Sequence, residues 1–401
     1  MARVLVVFAA VFSVIFFTLT YLAVTHNAPL LGGGASATVP AGATSSAAPV
    51  AGSSISPDAV TIRGISRHPS DMPDSPNYTV YESGTWSKPV RRTGPITITA
   101  TFQITEGIAQ VVDGTYLEYW TFDGAVPGPM IRGMEGDTLD FHLKNSATST
   151  MPHDVDFHAV TGPGGGATRL LTAPGAESEL KVKLLHPGIY VYHCAFPDIP
   201  THISHGMYGL IVVEPKGGLP KVDHEYYLMQ SELYTDAGGA KSANELTNKG
   251  LLQYDGTNGN LEEPTFVVWN GRPASVTGER AIGMFNGDVV KTGDTVRLFV
   301  GNIGPNFSSS FHAIGEIFDT VDVEGSFALQ NHWVQSTEIP AGGAVGVEFR
   351  VEVPGDYTLV DHAIFRIHKG AVASLHVTGA DRPDIYQSIT YSKELAGSSG
   401  H

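Results

Sequence analysis

Apolar and polar residues alternate in two stretches that echo one another. "GDTLDFHLKN" (residues 136–145) and "GDTVRLFVGN" (293–302) each follow a Gly-Asp turn with alternating apolar positions, which predicts strands with one buried face. A second echo links "PGIYVYHC" (187–194) with "PGDYTLVDHA" (354–363), both Pro-Gly turns feeding a Tyr-bearing strand. Offsets of 157 and 167 residues between the copies imply one repeated β-sandwich of roughly 150 residues. We place the copies at 91–225 and 226–380, with a C-terminal tail over 381–401. The 46 glycines and 25 prolines, spread between short Val/Ile/Tyr/Phe-rich runs, fit many turns rather than helices. The expected fold is all-β: two tandem Greek-key sandwiches.

The alternation is absent from the N-terminus. After Arg3, residues 4–25 carry no charge, a run close to the roughly 20 residues that cross a bilayer. It reads as an export element over 1–25, either a cleaved signal or a retained membrane anchor. With Arg3 on the cytoplasmic side, the body faces the periplasm or the cell exterior. Residues 26–60 are Ala/Gly/Ser/Pro-rich and form a flexible tether, and 61–90 an extended lead-in whose "YTVYESGTW" reads as an ordinary strand.

A formal charge of -16 argues against nucleic acid as a partner. The single cysteine cannot close an internal disulfide, so in an exported protein it is free, intermolecular or metal-bound.

That cysteine lies in "YHCAFPDIPTHISHGM" (192–207). Cys194, His202 and Met207, with His153 upstream, supply a thiolate, two imidazoles and a thioether, the blue-copper electron-transfer set. His205 competes with His202 for the ligand role and, beside Gly206, reads as exposed; spacing alone does not choose between them. "MPHDVDFHAV" carries a second set. If it is a strand, His153 points one way while Asp156 and His158 share the opposite face. The adjacent pair His193 and Cys194 divides by the same rule, so His193 turns toward His158. Two sites then stand back to back. The outer one has two imidazoles and a carboxylate, and the second sandwich offers His362, with His312 as a neighbour, to complete a catalytic metal site. Aligning Tyr190 with Tyr357 sets Cys194 opposite Asp361, so the second copy has no blue site and reads as a partner surface, shared between subunits.

Taken together, the repeat and the runs "MPHDVDFH", "YHC", "HISHGM", "FHAIGE" and "VDHAIF" resemble the copper-containing nitrite reductases, two-domain cupredoxins. The run "GMYGLIVVEPKGGLPKVDHEYY" is similar to the membrane-anchored branch of that family. The resemblance implies two coppers per chain. His153, Cys194, His202 and Met207 would bind the type 1 copper, the family's His-to-Met spacing selecting His202. His158, His193 and His362 would bind the type 2 copper, with His362 donated by a neighbouring subunit of a homotrimer. Asp156 and His312 match the proton-handling residues, and Ile314 the apolar residue that shapes the space above the metal. Nitrite would be reduced to nitric oxide and water with an electron from a small cupredoxin or a cytochrome c. Partners that support His312 do not align, and Gln335, Ser336 and Thr337 are all candidates. A laccase-like multicopper oxidase is disfavoured: Ala195 follows Cys194, and no His-x-His occurs in the chain. A plain blue-copper electron carrier would leave His158, His312 and His362 without purpose.

Overall fold

The computed structural model describes residues 89–390. The apolar segment 4–25, the tether 26–60, "YTVYESGTW" and the end of the tail lie outside the described residues.

Among the described residues, twenty strands form four sheets, and the sheets form two sandwiches. The outer sheet of the first is ordered Gly250–Leu251, Thr115–Phe122, Thr97–Val112, Thr138–Asn145 and Glu177–Lys183. Its inner sheet is Ile131–Met134, Tyr208–Glu214, Gly188–His193 and Asp156–Phe157. The second sandwich pairs a six-stranded sheet centred on His224–Leu233, Thr295–Gly304 and Gly343–Arg350 with a five-stranded sheet that contains Gly355–Asp361 and Ser309–Ile314. The alternating stretches of the sequence are therefore strands, and the all-β tandem architecture is as expected. Gly250–Leu251 comes from the range given to the second domain yet pairs with Thr115 and Tyr116 of the first sandwich.

Period-two burial explains the layering. Along Tyr208–Glu214, Ile211 and Val213 join the core of the first sandwich with Phe102, Phe141 and Phe157. Leu210 and Val212 face the other way and pack on Tyr227, Met229 and Phe299 of the six-stranded sheet. This inner sheet is therefore buried on both faces. Across the same junction, buried Arg132 donates to Glu214 and, at 2.7 and 3.0 Å, to Glu225. Arg297, beside Glu225 in the six-stranded sheet, also donates to it at 2.6 Å, so Glu225 holds one cation from each sandwich and the Arg132–Glu225 ion pair adds to the apolar packing between them.

Candidate metal centres

Strand Gly188–His193 delivers His193 at its end, and Cys194 follows it directly. Antiparallel pairing sets Asp156 opposite His193, so these two share a face. Cys194 turns instead into the first core. "MPHDVDFHAV" is not a continuous strand: only Asp156–Phe157 is in the sheet, and His153 makes an isolated bridge to Thr172. Asp156 and His153 are nonetheless held apart: the register with His193 orients Asp156, while the bridge to Thr172 pins His153.

The inward set is sealed. His153, Cys194 and His202 offer donor atoms within 4.8 Å of one another. His153 Nδ1 lies 3.1 Å from His202 Nδ1, and Cys194 Sγ lies 3.2 Å from His202 Nδ1 and 3.8 Å from His153 Nδ1. Met207 is fully buried, and its carbonyl accepts the Cys194 N–H at 3.0 Å. His202 is carried by the short helix Ile199–Ser204. The His153 Nε2–H donates to Glu106 at 3.0 Å, which leaves Nδ1 as a lone pair aimed at the centre. Burial alone would raise the Glu106 carboxyl, but bonds from His153 and Thr150 outweigh it and hold the group below its ordinary value. Burial pushes His202 down to about 3, so its ring is neutral. Burial and the Asp154 carboxylate push the Cys194 thiol up.

His205 departs from its expected exposure. It is buried, stacked on Trp120 at 3.9 Å and 9°, with its Nδ1–H donated to the Thr201 carbonyl at 2.7 Å. That bond occupies its Nδ1, and the imidazole whose donor atom converges with Cys194 and His153 is that of His202.

The outward set joins Asp156, His158 and His193, again with donor atoms within 4.8 Å of one another. His193 Nδ1–H donates to the Cys194 carbonyl at 3.0 Å, so its Nε2 is a lone pair, and it faces His158 Nε2 across 3.2 Å. The Gly342 carbonyl of the second sandwich accepts from the His158 ring. Burial and the neighbouring His193 lower the His158 pKa. A cation is the natural occupant of such a gap. Asp156 is packed against Gly165, where an added Cβ would come within 1.8 Å of its Oδ1.

The remaining candidates lie on the five-stranded sheet of the second sandwich. His312 and Ile314 share one face of Ser309–Ile314, and Ile314 is 36% exposed. His312 Nδ1–H donates to the main-chain carbonyl of Gln335 at 2.5 Å. The His362 ring stands 5.6 Å from His312 and the residue is exposed, its main-chain N–H donated to the Ser310 carbonyl at 2.7 Å. Behind it, buried Asp361 accepts from Ser310 N, Ala363 N, Gln230 and Arg366. Within one chain His362 is not among the donors that converge with His158 and His193.

Both convergent sets fit a metal ion. Bonds of about 2.0 Å to nitrogen and about 2.3 Å to sulfur place donors on a common ion roughly 3 to 4 Å apart, as found here. The buried set, two nitrogens and a thiol with a thioether nearby in sequence, has the soft-and-imidazole chemistry that copper selects. A thiol raised by burial becomes a ligand by losing its proton to the metal. A third group, Asp140, His142 and Glu179, lies on the outer sheet. There Lys181 already bonds Glu179 at 2.9 Å and Asp140 at 3.5 Å, so an ammonium supplies the cation. Glu106, Trp120, Gly165 and Gly342 were not singled out from sequence. The available signal for Glu106 was a carboxylate at an inward position of the Ile98, Ala100, Phe102, Ile104 alternation.

Comparison with known proteins agrees with this chemistry. The family description "Multicopper oxidase" matches residues 103–218. A copper-containing nitrite reductase of Neisseria gonorrhoeae is 49% identical over 310 residues, covering 77% of this chain and 76% of that protein. One from Cereibacter sphaeroides is 34% identical over 323 residues, covering 77% and 83%. Among solved structures, the copper nitrite reductase from Nitrosomonas europaea aligns with a TM-score of 0.60 and 31% identity, over 72% of this chain and 96% of that one.

Proposed function

As the chain belongs to the copper-containing nitrite reductases, and is an enzyme of that activity, we propose how its residues divide the work of reducing nitrite to nitric oxide. The reaction takes one electron and two protons per nitrite and releases water. His153, Cys194, His202 and Met207 hold the electron-receiving type 1 copper. His158 and His193, with His362 of a neighbouring chain in a homotrimer, hold the type 2 copper. Bound at these places, copper supplies one-electron storage at the sealed set and a Lewis-acid and redox centre for nitrite at the outward set.

The observation that carries this reading is the adjacency of His193 and Cys194: neighbouring residues serve two donor sets on opposite sides of one strand end. A single peptide link joins the place where an electron is stored to the place where it is used.

The remaining roles belong to the side chains. Asp156, across from His193, is placed to give a proton to the departing oxygen of nitrite. His312, its Nδ1–H committed to Gln335, keeps Nε2 free to carry the second proton. Ile314, exposed beside it, limits the space in which nitrite lies. Exposure of Ile314 and His362, beside half-buried His312, on one chain supports a site completed between chains, where these groups meet the His158 side of a neighbour. The uncharged run 4–25 supports export and membrane tethering, with the enzyme at the periplasm or cell envelope and a small cupredoxin or a cytochrome c as donor.

Metal analysis, a visible spectrum and a nitrite assay of the copper-loaded protein test this. Two coppers per chain, an intense blue band and nitric oxide from nitrite under reducing conditions are expected. A single copper per chain, or no nitric oxide, would refute the assignment.

A further inference from the structure

The Cys194 set is closed to solvent: His202 is 1% exposed and His153 is fully buried. An electron that reaches it must therefore cross side chains. Three rings lead outward. Trp120 lies edge-on to both imidazoles, its ring centre 4.8 Å from His202 and 5.6 Å from His153. His205 stacks on Trp120 at 3.9 Å, the closest ring contact of the series, and the ring of Tyr254 stands 5.0 Å from His205. The Thr201 carbonyl and the Thr201 hydroxyl fix the two outer rings, the first accepting from His205 at 2.7 Å and the second bonding Tyr254 Oη at 3.2 Å. Trp120, His205 and Tyr254 also line one cavity of about 450 Å³, together with Leu117, Leu251 and Leu252. Leu251 and Leu252 arrive with the segment that adds to the outer sheet of the first sandwich, so the second domain's chain builds the outer wall of this cavity.

We propose that the Tyr254–His205–Trp120 series is the path by which an electron from an external one-electron carrier, docked over this cavity, reaches the Cys194 set. The inference rests on the reading that the sealed set holds a redox-active metal. Each transfer oxidises the carrier by one electron and reduces that centre by one; the three rings end unchanged and no proton moves. The competing path is Phe196, half-buried and 5.5 Å from His202. It contacts only one of the two imidazoles and offers a less electron-rich ring than indole.

The test injects an electron at the cavity and times its arrival. Gln253 is exposed and lines the same cavity, and Cys194 is buried, so a Gln253→Cys variant takes a ruthenium photoreductant at its new thiol alone. Loss of the blue absorption after a flash is recorded for the copper-loaded, full-length protein. His205→Leu and Trp120→Leu in that background are expected to slow it several-fold, and Phe196→Leu to leave it unchanged. The same ordering is expected when a reduced c-type cytochrome in solution is the donor. Trp120 touches both imidazoles, so if its variant alters the blue band, His205→Leu decides the outcome. An unchanged rate in His205→Leu, slowing by Phe196→Leu alone, or losses confined to the tethered label overturn the path and leave the metal assignment standing. Absence of any blue band in the parent protein overturns both.

Discussion

Gly165→Ala tests the proton chemistry without touching a metal ligand. Gly165 has φ +53°, and the new methyl would stand 1.8 Å from Asp156 Oδ1 and 2.9 Å from the Phe157 carbonyl. Ordinary contact begins near 3.4 Å, so the carboxylate must retreat by more than 1 Å, because the Phe157 carbonyl closes the other direction. The left-handed conformation adds about 1–2 kcal/mol against alanine, which lowers stability without unfolding a protein of this size. Displacing a positioned proton donor by about 1 Å costs on the order of 10²-fold in turnover. Nitric oxide release would be measured beside copper content and the blue band. The expected result is a loss of roughly 10²-fold with both coppers retained, and little further loss when Gly165→Ala is combined with Asp156→Asn. Full turnover in Gly165→Ala with an intact fold would refute the claim that Asp156 acts from the position seen here.

Three further outcomes are expected. On the proposed sharing of the site, mixed and reassembled oligomers of His158→Ala and His362→Ala chains should regain nitrite reduction that neither variant shows alone, since each chain can supply the half the other lacks; no recovery in proven mixed oligomers would place His362 elsewhere. Arg132→Ala leaves Glu214 buried and unpaired and should cost about 3–5 kcal/mol in denaturant unfolding, against little change if the ion pairs are incidental. Glu316 has its carboxyl raised by burial and by Asp319 from 4.5 to about 7, so the folded state keeps a proton that the unfolded chain releases. Its stability contribution is therefore lost as pH rises between those values. Glu316→Gln should raise the melting temperature near pH 8 and leave it unchanged near pH 4; an equal shift at both would show that its charge does not matter.

Much of this arrangement was legible before any coordinates. Alternation over 136–145 and 293–302 specifies strands because a half-buried sheet demands period two, and the Cys, His and Met of 194–207 lie close enough in sequence to be read as one donor set. Glu106 was not read, because its bond to His153 joins residues 47 apart in the chain and only the fold reveals it. His205 looked exposed for the same reason: it ends the short helix Ile199–Ser204, and its ring is covered by Trp120 from the strand Thr115–Phe122. The supposed strand through "MPHDVDFHAV" failed because alternation says nothing about which segment has a partner to pair with, and only Asp156–Phe157 does. Gly165 carries a positive φ that a sequence hints at, but the atom it makes room for belongs to the packing.

Asp361 stands where the first sandwich has Cys194, and it is tied to four neighbours rather than to an ion. The carboxylate ties this strand end to a neighbouring strand, to Gln230 of the facing sheet and to Arg366 of the following turn. That corner of the second sandwich is closed by side-chain and main-chain bonds, and the next residue, His362, is left exposed at the surface. Two sandwiches of one design thus differ at a single corner, the first gathering a buried thiol and two imidazoles there and the second a carboxylate held by its neighbours.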